Sequence, residues 1–308
     1  MFWPMLLGCV GGPPATGDGT SGTDDGTDAG IPCDEVDADG DGVDACDDCE
    51  DLDSAIFPGA PERCDGRDTD CTGGPDPAET VDADADGVAD CSVCEEAGFW
   101  SGTADLTGES LVTALHELTS DQDCASYSAE TDYLFLMLDR LKDGTVECVY
   151  TGRHTSVGTE KPDPTDMNTE HTWPQSLGAD VEPAKCDLHH LFVSDADANS
   201  ARGNLLLTEL STVDTWWDET GESALGRTAA GDQAFEPRAG QKGNSARALL
   251  YFAMRYGYPV APADLATWQA WNTVDPPDEA ERARSMAIRA RQGEANPYVV
   301  CDGLVDRL

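Results

Sequence analysis

Positive charge is what this chain has least of. Its 308 residues carry 18 Lys+Arg against 61 Asp+Glu, a formal net charge of −43. That balance excludes a nucleic-acid binder that is basic all over and works by counterion release. Long apolar runs are also missing, and none approaches the ~20 residues that a membrane-crossing helix needs. Aromatic residues are scarce early on: only Phe2, Trp3, Phe57, Phe99 and Trp100 occur in the first hundred positions. The same stretch holds 27 acidic and 2 basic residues. So much like charge with so little apolar surface cannot build a core, and the packed core is expected beyond residue 100.

Cysteine is plentiful by contrast, with 12 in all. Cys46-x-x-Cys49 and Cys91-x-x-Cys94 have zinc-ligand spacing, but 41 residues separate the pairs. That gap is wide for a compact four-thiolate site. Disulfides formed in an oxidising compartment are the favoured reading, with connectivity left open. Leu6-Leu7-Gly8-Cys9 is similar to the lipobox of bacterial lipoproteins. A lipid anchor at Cys9 and a chance match both stand, since Met1 to Leu7 lacks Lys or Arg and is short for a signal sequence. Residues 1–9 thus read as the end of a lipoprotein signal, and 10–32, rich in Gly, Thr, Asp and Pro, as a flexible linker.

Residues 33–100 form an Asp- and Cys-rich region. Asp37, Asp39, Asp41 and Asp48 stand at positions 1, 3, 5 and 12 of a loop with Gly42 at position 6. Alternate oxygen ligands around a sharp glycine turn suit calcium. Asp82, Asp84 and Asp86 with Gly87 make a partial second copy. No amphipathic helix flanks either copy, so the region is similar to the Asp-rich repeats of exported bacterial proteins and to thrombospondin type 3 repeats. A solvated acidic spacer is the alternative. Mutual repulsion of carboxylates crowded into short loops favours Ca2+.

Beyond the acidic region, helical periodicity predicts helices over 107–119, 130–142, 245–256, 262–271 and 277–292, with a short strand over 146–150. The chemistry concentrates where that periodicity fades. Asn168-Thr-Glu170-His171-Thr-Trp-Pro-Gln-Ser176 is followed by Asp187-Leu-His189-His190-Leu, then Asn199-Ser-Ala-Arg202-Gly-Asn204. These blocks supply a carboxylate, imidazoles, a carboxamide and a guanidinium. Neutral imidazole accepts a proton from water near neutral pH, and carboxylate plus amide oxygens suit a hard divalent ion. Asp195 or Asp197 is expected to cap a short helix ending at Gly203. Asn199 and Arg202 then share one face.

The blocks EHTWPQS, DLHHL and NSARGN, in this order, resemble the endonuclease I family of secreted bacterial nucleases, which has the ββα-metal or His-Me finger fold. The resemblance runs over about 111–308, including Phe235-Glu236-Pro237, Lys242-Gly243 and Gln292-Gly293. It implies an α+β fold: a mostly helical domain around a small ββα-metal motif, after an irregular N-terminal region stabilised by disulfides and calcium. The catalytic domain is expected over 105–308. His171 then matches the general base, and Glu170 and Asn199 match the ligands of one Mg2+ or another divalent ion. Arg202 is assigned to phosphate contact and His189 to support of the site. The product-stabilising Arg of the family has no counterpart between the blocks, and Arg153 is a substitute. The expectation is an exported, monomeric, sequence-nonspecific endonuclease giving 5′-phosphate products from DNA, with RNA left open. Arg140, Lys142, Arg153, Lys185, Arg202, Arg238, Lys242 and Arg247 are candidates to line one cleft, their convergence being left open by the sequence, and weak, salt-sensitive binding with little base specificity is expected. The alternative is a calcium-binding surface or adhesion protein with an inactive nuclease-like domain.

Overall fold

The computed structural model describes residues 37–40, 42–44, 46–54, 56–60, 67–73, 94–216, 223–301 and 303–308. Cys9, Asp41, Asp82, Asp84 and Asp86, all singled out in the sequence, lie outside them. The architecture is α+β. It opens with α1 (Trp100–Thr103), α2 (Gly108–Leu118) and α3 (Tyr127–Tyr133), which runs into a π-helical turn over Leu134–Leu138. The helix expected over 130–142 thus starts earlier, because the Ser126 side chain accepts a hydrogen bond from Ala129 N and caps it. It also stops earlier, at Leu138.

Three small sheets follow. Strands β1 (Thr145–Glu147) and β2 (His154–Ser156) form a hairpin. The expected strand over 146–150 is therefore shorter and begins one residue earlier. β3 (Met167–His171) pairs antiparallel with β4 (Leu191–Asp195), placing Glu170 opposite Phe192 and His171 opposite Leu191. α4 (Ala196–Arg202) leaves directly from the end of β4. The Asp195 carboxylate accepts from Asp197 N and Ala198 N, satisfying two of the orphan amides of the first turn. Gly203, at φ +55°, ends the helix, a conformation that favours glycine. The β3–β4–α4 unit is a ββα motif. β5 (Leu206–Leu207), β6 (Thr212–Trp216), β7 (Ala224–Arg227) and β8 (Gln233–Glu236) make a four-stranded sheet in the order β5-β8-β7-β6.

The centre of the molecule is α5 (Ala239–Tyr256), flanked by α6 (Pro262–Val274), α7 (Glu279–Gln292) and the short α8 (Pro297–Val300). α5 starts six residues before the position its periodicity suggests, since Gly240 and Gly243 weaken the helical signal there. Gly243 has a packing reason: an added Cβ would lie 1.8 Å from the Asp275 carbonyl oxygen at the end of α6. The core joins Leu111 and Leu115 of α2, Val193 of β4, Leu249, Leu250 and Tyr251 of α5, Trp271 of α6 and Ile288 of α7. Disulfides join Cys49 to Cys71, Cys94 to Cys301 and Cys124 to Cys186. The second links the entry of the helical region to its far end, 207 residues on. No helix among the described residues is long and apolar enough to cross a membrane.

Candidate active site

The end of β3 and the face of α4 enclose a cleft of about 320 Å³, lined by Glu170, His171, Gln175, Ser176, Asn199, Arg202 and Asn204 among others. Successive strand residues normally face opposite sides. Glu170 and His171 reach the same cleft because the strand ends there and the chain turns away through Pro174 into a 3₁₀ turn over Gln175–Leu177. The sequence blocks around Glu170 and Asn199 are thus brought together by one hairpin and one helix.

Glu170 is buried. Its Oε1 accepts from the Tyr150 hydroxyl at 2.8 Å and lies 2.7 Å from Arg202 Nη1. Burial pushes its carboxyl above the usual range, while Arg202 and Tyr150 pull the other way. Both contacts are to Oε1, so Oε2 is not used by them. Asn199 is held through its nitrogen: Nδ2 donates to Asn168 Oδ1 at 2.7 Å and to the Thr169 carbonyl at 3.1 Å. Its Oδ1 therefore remains available. Two hard oxygen donors in one cleft, each with its other atoms anchored, fit a small divalent cation that keeps most of its waters.

His171 is nearly buried, between the rings of Tyr127 and His190, each with its centroid 5.4 Å away. Its Nε2 lies 3.1 Å from the Lys185 carbonyl, which can only accept. Nε2 thus carries the hydrogen and leaves Nδ1 as an acceptor; the Gln175 amide nitrogen lies 3.3 Å from each ring nitrogen. Burial pushes the imidazole down to about 4, so it is neutral around pH 7. Lys185 belongs to a turn over Ala184–Cys186 that the Cys124–Cys186 disulfide ties down, and the Ala184 carbonyl accepts from His190 Nε2 at 2.7 Å.

Arg202 lines the cleft but is not a free cation. Besides Glu170, its Nη1 donates to the His171 carbonyl at 2.8 Å and its Nη2 to the Thr172 carbonyl at 2.5 Å. These contacts tie its guanidinium to Glu170 and to the end of β3. His189 does not line the cleft. Its Nε2 lies 2.9 Å from the Glu294 carbonyl and its ring packs on Tyr251 at 4.6 Å. Arg153, the proposed stand-in, pairs with Asp195 at 2.7 Å and Asp166 at 2.9 Å. Of the other basic candidates, Arg238 pairs with Glu147, Lys242 with Glu209 and Glu236, and Arg247 with Glu281, while Lys185 Nζ lies 5.1 Å from the centre of the Tyr127 ring that packs on His171. Sequence reasoning passed over Tyr150, whose hydroxyl reaches Glu170 from 20 residues upstream. It also passed over Gln175, Ser176 and Asn204, although all three lie inside the quoted blocks.

In the acidic region, Asp37 accepts from Gly40 N and Gly42 N, the turn that its glycines were expected to make. Asp48 Oδ2 is buried without a hydrogen-bond partner. Asp48, Cys49 and Cys71 lie within 4.8 Å of one another, but the two sulfurs form a disulfide and offer no thiolate. Cys94 is likewise bonded to Cys301, so neither Cys-x-x-Cys pair can act as two zinc thiolates.

Residues 48–77 match the MopE copper-binding type of candidate metal-binding motif. Residues 107–301, the greater part of the chain, match the family Endonuclease I. The chain is 32% identical over 228 residues to an extracellular ribonuclease of Bacillus subtilis (strain 168), covering 65% of this chain and 74% of that protein. It is 31% identical, over the same shares, to an extracellular ribonuclease of Bacillus amyloliquefaciens. An extracellular deoxyribonuclease of Aeromonas hydrophila is 26% identical over 113 residues, 37% of this chain and 48% of its own. By its sequence blocks and by the match over residues 107–301, the chain belongs to the endonuclease I family of nucleases.

Proposed function

We propose that the protein is an exported, metal-dependent, sequence-nonspecific endonuclease that hydrolyses phosphodiester bonds of DNA or RNA to 5′-phosphate products. The observation that carries this is the shared cleft of Glu170, His171 and Asn199, with the His171 tautomer set by the Lys185 carbonyl. His171 Nδ1 takes a proton from the attacking water, whose oxygen displaces the 3′ oxygen from phosphorus in line. Glu170 and Asn199 would hold one divalent cation through their free oxygens, whose hardness suits magnesium or another hard divalent ion. When bound, the ion supplies Lewis-acid stabilisation of charge on the scissile phosphate and the leaving oxygen. Arg202 keeps Glu170 in place. Gln175, Ser176 and Asn204 offer uncharged donors to the phosphate in a cleft with no uncommitted cation. Export agrees with the disulfides and with relatives whose names are extracellular or periplasmic nucleases. Nicking of supercoiled plasmid by the oxidised protein tests the metal: EDTA abolishes it and magnesium restores it. Full activity in EDTA contradicts the reading.

The catalytic domain spans 105–308 in this proposal, and 33–100 forms a calcium-stiffened spacer. The buried, unpartnered Asp48 Oδ2 supports a cation there. Calcium is expected to slow proteolysis of the acidic region without changing the core fragment. Equal digestion rates with and without calcium, checked by mass spectrometry of the fragments, argue for a plain acidic spacer.

A further inference from the structure

Tyr150 lies outside every sequence block that carries the chemistry, and we propose that its hydroxyl decides which oxygen of Glu170 is offered to the divalent cation. The proposal rests on the nuclease reading above and adds a positioning residue to it. The hydroxyl donates to Glu170 Oε1 at 2.8 Å, and Arg202 Nη1 lies 2.7 Å from the same atom. Two donors on one oxygen hold the carboxylate against rotation. The second oxygen is left outside both contacts.

Arg202 alone does not settle that choice. Its Nη1 and Nη2 reach Glu170 and the carbonyls of His171 and Thr172, but its Nε is buried with no hydrogen-bond partner. A buried donor without an acceptor is costly, and arginine commonly takes both oxygens of a carboxylate. With only Arg202 beside it, Glu170 would gain by turning its second oxygen toward the guanidinium. Each such turn withdraws that oxygen from the cation. The Tyr150 hydroxyl opposes the turn, because its own buried hydrogen bond would be lost.

The hydroxyl can hold a metal ligand because its own position is fixed. The Tyr150 side chain is 1% exposed, and its ring packs on Phe235 of β8 with centroids 4.9 Å apart. In the residue before it, Val149 N donates to the Val193 carbonyl of β4, and the Val149 carbonyl accepts from Arg238 Nε at 2.9 Å. Burial, with the Glu170 charge adding to it, pushes the phenol well above its usual range. It therefore keeps its hydrogen and acts as a donor. Partners that orient a metal ligand in this way change metal affinity or activity by about ten- to a hundredfold when they are removed.

The test is manganese binding to the full oxidised chain, followed by electron paramagnetic resonance. Glu170→Gln first identifies the cleft site, as the manganese that this variant fails to bind; ions held elsewhere are bound by both chains. Tyr150→Phe keeps the ring and removes the hydroxyl. It should preserve the Glu170-dependent site in number and weaken it about tenfold or more. The magnesium concentration for half-maximal plasmid cleavage should rise by the same factor, while the rate at saturating magnesium stays within about twofold. A hydroxyl that served stability alone would lower Tm and leave manganese affinity unchanged, and that result overturns the proposal. A rate loss that saturating magnesium does not restore overturns it as well, as does a wild-type chain with no Glu170-dependent site. Tyr150→Met, which also lacks the hydroxyl, repeats the measurement should Tyr150→Phe fail to fold; if neither folds, the hydroxyl is structural and the proposal falls. Failure of the nuclease reading looks different: the wild-type chain cuts no substrate with magnesium, whatever manganese it binds.

Discussion

Glu170 and Arg202 are each only 2% exposed, 2.7 Å apart, and the guanidinium also holds the carbonyls of His171 and Thr172. Removing one partner of such a pair leaves a buried charge without compensation. Arg202→Ala is expected to cost about 3–5 kcal/mol in urea denaturation and to abolish cleavage; a loss below about 1 kcal/mol, the scale of an exposed pair, would contradict its bracing position. His189 gives a pH prediction. It faces Asp187, Arg284 and the Glu294 carbonyl, and burial lowers its pKa. The folded state therefore binds the proton less readily than the unfolded chain, whose value is about 6.5. Its contribution to stability is fully present above that pH and is lost as pH falls below it. His189→Gln should flatten the decline in Tm between about pH 6.5 and 5. An unchanged slope would mean that His189 is not held neutral. At this scale the sequence was readable where chemistry and chain coincide: Glu170 and His171 are adjacent, and Asn199 lies in a short polar block. The Lys185 carbonyl was not readable, because a backbone acceptor leaves no mark in residue identity. Tyr150 was not readable either, lying in a stretch with no pattern that points to Glu170.

The ββα motif depends on how α4 is launched. Asp195 ends β4, caps α4 through Asp197 N and Ala198 N, and anchors Arg153. Asn199 sits one turn further on. Asp195→Ala should cost about 1–2 kcal/mol from the cap, read by denaturation. It should also raise the magnesium concentration needed for half-maximal cleavage, because Asn199 is no longer held in register. Unchanged metal dependence would separate the cap from the site. The Asp cap and the Gly203 stop were both legible, since capping chemistry is local. The start of α5 was not: Gly243 looks like a helix breaker in isolation, and only the approach of Asp275 explains it. The helix over 130–142 was overextended for a similar reason. Apolar spacing continues past Leu138, but the backbone loosens into a π-helical turn and ends there.

At the scale of the whole molecule, an acidic chain belongs to a nuclease family and ties several of its cations into internal pairs. Composition foretold the acidity and the late-lying core. It could not foretell that Arg153, Arg238, Lys242 and Arg247 would be spent on internal pairs, because pairing is a property of the tertiary structure. Everything in the account then turns on one imidazole in one cleft. The most direct measurement is supercoiled-plasmid cleavage with magnesium by the wild-type chain and by His171→Ala, with circular dichroism to show that both are folded. The account predicts nicking by the first and a loss of at least about a hundredfold in the second, the lower range for a positioned general base. Equal rates for the two folded proteins would contradict it.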